Sequence, residues 1–120
     1  MIKTRLLHLP AEIEHVKKML LTYQEDIETL KESIKRWEIE QLDDIANTVD
    51  DNGKPMYSND AKRKAELERR KTSDEQYKAL SEALRKAERE MAVKSIALDK
   101  LHNEQGNLRA ICRLESAAND

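Results

Sequence analysis

The segment Asp50-Asp51-Asn52-Gly53-Lys54-Pro55-Met56-Tyr57-Ser58-Asn59 holds the only glycine and the only proline between residues 11 and 105. Asn52-Gly53 supplies a positive φ without a Cβ clash. Pro55 fixes its own φ, lacks a donor and steers Lys54 away from the α region. Ser58 or Asn59 is then placed to cap a following helix by accepting its free N–H groups. With one break in so long a chain, the expected fold is all-α: a long antiparallel helical hairpin of the coiled-coil type. Arm one covers about 10–48, the turn about 49–58 and arm two about 59–115, in one domain over residues 1–120.

Composition agrees with this. Charged residues make up 38% of the chain and aromatic residues 3%, with no Phe. Abundant Ala, Glu, Lys, Leu and Arg with few breakers is typical of long helices. Two helices bury a narrow seam but enclose no drug-sized cavity of several hundred Å³, so no small-molecule site is expected. The net charge of −2 does not recruit nucleic acid or a membrane surface. Residues 1–51 carry 7 Lys/Arg and 12 Asp/Glu (net −5), and residues 52–120 carry 15 and 12 (net +3). Arms of opposite sign suit antiparallel pairing. The single cysteine, Cys112, excludes an internal disulfide and a thiolate zinc site. It points to a reducing, cytoplasmic setting. Met1–Leu9 is too short and too polar for a signal peptide, and no window reaches the roughly 18 to 20 apolar residues of a membrane span.

Pro10 suits a first helical turn, with Glu12 and Glu14 favouring the positive end of the dipole. Ile13, Val16, Leu20, Tyr23, Ile27, Leu30, Ile34 and Trp37 then step by three and four, an unbroken heptad seam. Beyond Trp37 the pattern would bring Gln41 and Asp44 inward, so a slip onto Ile39, Leu42, Ala46 and Val49 is expected. In the second arm, Ser73 with Gln76 matches a capping box, and both a break near Thr72 and a continuous helix are open. From Tyr77 the heptad returns through Leu80, Leu84, Ala87, Met91, Leu98 and Leu101, with Lys94 and Gln105 as polar interruptions. Gly106 is a candidate C-cap, with a short C-terminal helix over Asn107–Leu114. Folding about residue 54 sets Ile34 level with Asp74 and Tyr23 with Arg85. It leaves the leucines beyond residue 100 to capture Met1–Leu9 or to meet a partner.

No residue is assigned to catalysis, to a cofactor or to a metal. His8, His15 and His102 are too scattered for a metal motif, although His8 and His102 fall near one another at the open end. No carboxylate stands isolated in an apolar setting that would raise its pKa. Cys112 reads as a small core residue, and Trp37 as core filling. The basic run Lys62, Arg63, Lys64, Arg69, Arg70 and Lys71 could meet phosphates. Its opposing arm offers Glu38, Glu40, Asp43 and Asp44, and Glu66 and Glu68 interrupt it, so structural charge pairing is favoured over nucleic acid. The expected partner surface is the tip: Lys54, Met56, Tyr57, Lys62, Arg63, Arg69 and Arg70. Self-association into a four-helix dimer is expected through Met19, Leu20, Val93, Ile96 and Leu101.

Asp51–Asn59, with Arg63, Ala65-Glu66-Leu67 and Asp74-Glu75-Gln76-Tyr77-Lys78-Ala79-Leu80, resembles small helical-hairpin proteins of bacteriophages and prophages, often encoded near recombination or replication genes. The resemblance covers about residues 45–101, with Met56 where a charged residue is usual. It implies a non-enzymatic accessory factor or inhibitor of a nucleic-acid-processing or host-defence enzyme. The alternatives are a DNA-binding accessory protein using residues 62–71 and a purely structural coiled-coil spacer.

Overall fold

A computed structural model describes residues 1–119 as an all-α helical hairpin. Its helices are α1 (Ile2–Asn47), α2 (Asp60–Ser73) and α3 (Glu75–Asn119). The chain divides into two compact units. Unit 1 comprises residues 1–25 and 87–120, and unit 2 comprises residues 26–86.

In unit 1, α1 begins at Ile2 rather than near Pro10, which lies inside the helix. The heptad seam in fact extends backward through Leu9, Leu6 and Ile2, and Leu9 is fully buried. Proline in a helix interior costs about 3 kcal/mol. Burial of Leu9 and Ile13 is worth about 1.5–3 kcal/mol each, enough to carry the helix through. Arg5 ties this end to α3, where its Nε and Nη2 donate to Glu104 at 2.5 and 3.0 Å. The stretch around Glu104 therefore meets the N-terminal turns within one chain, while Leu7, Ile111 and Leu114 stay exposed. Gly106 does not end α3 and no separate C-terminal helix forms, because Gln105, Leu108 and Cys112 continue the half-buried stripe on both sides of it. Lys94 and Gln105 occupy seam positions and are half-buried, as the heptad requires.

In unit 2, Trp37 stacks on Tyr77 with ring centroids 4.6 Å apart and planes tilted by 37°. Lys71 lies 5.6 Å from the Tyr77 ring centre, within cation–π range. The arms are antiparallel and within about a turn of the anticipated level. The register does slip beyond Trp37, but not onto the expected residues. Ile39, Leu42, Ala46 and Val49 are exposed, while Gln41 is half-buried and Ile45 fully buried. Steps of four from Trp37 to Gln41 to Ile45 carry the stripe onward, a stutter that locally unwinds the supercoil. Gln41 is tolerable there because its Oε1 accepts from Arg70 Nη1 at 2.9 Å.

The second arm does break, one residue later than the capping box implies. Asp74 is extended (φ −83°, ψ 122°), and its Oδ1 accepts from Tyr77 N at 2.7 Å, making it the N-cap of α3. Its own N–H donates to Arg70 O at 2.8 Å, closing α2. Ser73 Oγ instead donates back to Arg69 O and Arg70 O at 3.2 and 3.3 Å. One aspartate thus ends one helix and starts the next.

Candidate functional site

The tip is built around Asp50. Its Oδ1 accepts from Asn52 N and Lys54 N at 2.9 and 3.0 Å, and its carbonyl accepts from Gly53 N at 3.0 Å. Asp50 N donates to Lys54 O at 2.8 Å, and Met56 N donates to Thr48 O at 3.0 Å. Val49 and Pro55 form an isolated antiparallel bridge. This is a three-residue hairpin loop closing on a left-handed glycine, and Gly53 has φ 75°. Asn59 Oδ1 then accepts from Lys62 N at 2.9 Å and caps α2.

The loop delivers Met56 and Tyr57 to the start of α2. Met56 is exposed and Tyr57 half-buried. With Lys62, Ala65, Glu66 and Arg69 they line an open groove of about 390 Å³. Arg63 is half-buried, and its Nε donates to Tyr57 O at 3.1 Å, locking loop to helix. Lys54 and Lys62 are exposed.

Further along α2 the cations are engaged. Glu66, 8% exposed, is the only buried charged residue among those described. Arg69 grips it with two bonds, Nη2 to Oε1 at 2.5 Å and Nε to Oε2 at 2.9 Å, and Arg70 Nε adds a third at 3.0 Å. The Arg69 hydrogen bonds, with those of Arg70, hold the Glu66 carboxyl down at about 2 against the opposing effect of burial. Arg70 also donates to Asp44 Oδ2 at 2.7 Å, and Lys71 Nζ pairs with Glu38 at 3.1 Å and Glu68 at 3.4 Å. The Asp44 hydrogen bond leads the upward shift of Arg70. Of the expected acidic partners on α1, Glu38 and Asp44 join the basic run; Glu40 and Asp43 do not. Among the described residues Lys54, Lys62, Arg63 and Lys64 make no ion pair.

The residues expected to self-associate all belong to unit 1 but face different ways. Leu20 and Leu101 are half-buried in the seam and Met19 is half-buried beside it, whereas Val93 and Ile96 are exposed. His102 lines a groove of about 350 Å³ with Pro10, Ile13, Glu14, Lys17, Gln105 and Arg109. His8 is not among its lining residues. Among the described residues no group of three or more His, Cys, Asp or Glu is arranged to hold a metal ion, and no helix is long and apolar enough to cross a membrane. Trp37 is 4% exposed and sits in the core.

Sequence reasoning missed Ile45 and the dual role of Asp74. A three-four-four step through residues 34, 37, 41 and 45 was the available signal for the first. The Asp-x-x-Tyr spacing was available for the second but competed with Ser73-x-x-Gln76.

No family model, curated protein or solved structure matches this chain.

Proposed function

We propose that this protein is a non-catalytic helical hairpin that works by docking another protein at its tip. The observation that carries the reading is the groove at Met56, Tyr57, Lys62 and Arg69. It joins an exposed methionine and a half-buried tyrosine to a rim with the unpaired cation Lys62, beside Arg69 held by Glu66. A loop that only reverses the chain needs the Asp50–Gly53 turn and the Asn59 cap; it does not need an exposed Met56 beside Tyr57. Methionine adapts to varied apolar partners, and tyrosine is favoured at binding hot spots. The complementary ligand is a segment with an apolar anchor flanked by acidic residues. By the resemblance over residues 45–101, its bearer is a nucleic-acid-processing or host-defence enzyme in a bacterial cytoplasm, with the hairpin as accessory factor or inhibitor.

Capture from a bacterial lysate with the intact chain, compared with Met56→Asp and Lys62→Glu, tests this. Both substitutions are at exposed positions, so melting should shift by no more than about 0.5 kcal/mol. Loss of a captured nuclease, helicase or recombinase with unchanged melting supports the reading. An unchanged captured set across all three proteins refutes the tip as the docking surface.

DNA binding is the second reading, favoured by the unpaired cations Lys54, Lys62, Arg63 and Lys64. Asp50, Asp51 and Asp60 share that end of the hairpin and oppose it. Six or more phosphate contacts would give a steep salt slope. Duplex DNA is expected to bind no tighter than micromolar at physiological salt. Submicromolar binding that is lost on replacing Lys62, Arg63 and Lys64 would overturn the choice.

A further inference from the structure

The outward face of α3 carries a stripe that the intramolecular seam does not use. At 100° per residue, the stripe containing Val93, Ile96, Lys100, Asn107, Ile111 and Leu114 lies roughly 140° from the seam. Its four apolar members are 57%, 69%, 40% and 71% exposed. Exposed Leu7 and Leu21 on α1 are separated by Glu14 and form no such row; single exposed leucines are ordinary. Exposed Ile39, Leu42 and Ala46 on α1, with Val49 just past its end, do form an apolar row in unit 2, but it spans only about three helical turns. The α3 stripe is about twice as long and is symmetric about its centre. Reflected about the point between Asn103 and Glu104, Val93 falls on Leu114, Ile96 on Ile111 and Lys100 on Asn107.

We propose that α3 packs antiparallel against α3 of a second copy of this chain, about a two-fold axis passing between Asn103 and Glu104. A two-fold interface requires that if residue i meets residue j, then j meets i. The stripe satisfies this at all three levels, with β-branched and leucine side chains at both ends and a polar centre. Charge selects the direction. A parallel pairing would stack Lys100 on Lys100, while the antiparallel one sets it against Asn107 and within one turn of Glu104 of the other copy. Glu104 is still partly exposed beyond its bond to Arg5, with Lys100 of its own copy already nearby, so the other copy's Lys100 joins an existing cluster there. The apolar ends are small, so association falls in the weak class of interfaces and depends on concentration. The stripe belongs to unit 1 and the tip groove to unit 2, so this pairing stands or fails separately from the partner reading.

Sedimentation equilibrium of the intact chain from micromolar to submillimolar concentration tests it. The average mass should rise from 14.0 kDa toward twice that value. Ile96→Lys alone and Ile111→Glu alone should each weaken association at least about tenfold with unchanged helicity. The double variant should restore it, because Lys at 96 then faces Glu at 111 across the axis twice. Positions 96 and 111 lie about 22 Å apart along one helix, so that rescue cannot arise within one copy. In a Cys112→Ser background, Asn103→Cys should cross-link to its own copy on mild oxidation, and Val93→Cys should not. A constant 14.0 kDa mass, single variants that associate normally, a double variant as weak as the singles, or self-cross-linking at position 93 would each overturn the proposal.

Discussion

Glu66 shows how one side chain decides the character of the basic run. Read as sequence, it merely dilutes a row of cations. In the structure two arginines converge on it, and one of them also reaches Gln41 and Asp44 on the opposite arm. Glu66 thus orients Arg70 as a cross-arm strut. Its pKa lies below the ordinary 4.5, at about 2. The stabilisation it gives is therefore complete above about pH 4.5 and drains away as pH falls toward 2. Glu66→Gln should lower stability by about 1–3 kcal/mol near neutrality, the scale of hydrogen bonds to charged groups. It should also flatten the pH dependence of melting between pH 5 and 2, in the window around those two pKa values. A variant whose acid sensitivity matched the wild type would remove Glu66 from this role. Lys71 has a comparable place between Glu38 and the Tyr77 ring, and its replacement would be read in packing as much as in charge.

At the scale of elements, the break between α2 and α3 and the continuity of α3 through Gly106 follow from one rule. A helix ends where its backbone donors find better partners outside it, and continues where a buried stripe runs on both sides of a weak residue. Asp74 offers the better partner, so Asp74→Ala should cost about 1 kcal/mol, in the range for N-cap loss. Chemical denaturation would detect it; a variant as stable as the parent would show that the cap contributes nothing. Gly106 offers no such partner. A Cβ placed there meets no atom within 4 Å, so Gly106→Ala should raise stability by about 0.5–1 kcal/mol. A decrease would mean that the glycine backbone is needed by a contact outside the single chain. Gly53 is the opposite case. Its φ of 75° is where a side chain is strained, and Gly53→Ala should cost about 1–2 kcal/mol.

For the whole molecule, the hairpin is held by one narrow seam in each unit, so its stability concentrates in few side chains. Among the described residues, Leu9 and Ile45 are the two fully buried apolar ones, one in each unit. Leu9→Ala should cost about 2–5 kcal/mol, whereas exposed Leu7→Ala should stay within about 0.5 kcal/mol. Thermal denaturation of the pair separates a seam that truly includes the N-terminal turns from one that begins at Pro10. Equal melting of the two variants would place Leu9 outside the core. The charge halves behave as the sequence suggests only in unit 2, where Asp44 and Glu38 on α1 face Arg70 and Lys71. In unit 1 the cross-arm pair has the reverse polarity, Arg5 on α1 with Glu104 on α3.

The hairpin itself was legible from residues alone. One glycine–proline turn in a long breaker-free chain, with heptads on both sides, leaves little else to fold into. A cap at Ser58 or Asn59, the Gly53 turn, the seam from Ile13 to Trp37 and the seam from Tyr77 to Cys112 were all readable, because each depends on neighbours within a few residues. What depended on the opposite arm was not. Gln41 looked too polar for the seam until Arg70 supplied its bond, and so the stripe through Ile45 was misassigned to Ile39 and Leu42. Pro10 looked like a helix start until burial of Leu9 outweighed its cost. The capping box pointed to Ser73, but Ser73 Oγ turns back to Arg69 and Arg70 and Asp74 takes the cap of α3. Whether a cation is spent within the fold or left for a partner is likewise decided across the seam, because an ion pair between arms depends on their register to within one helical turn.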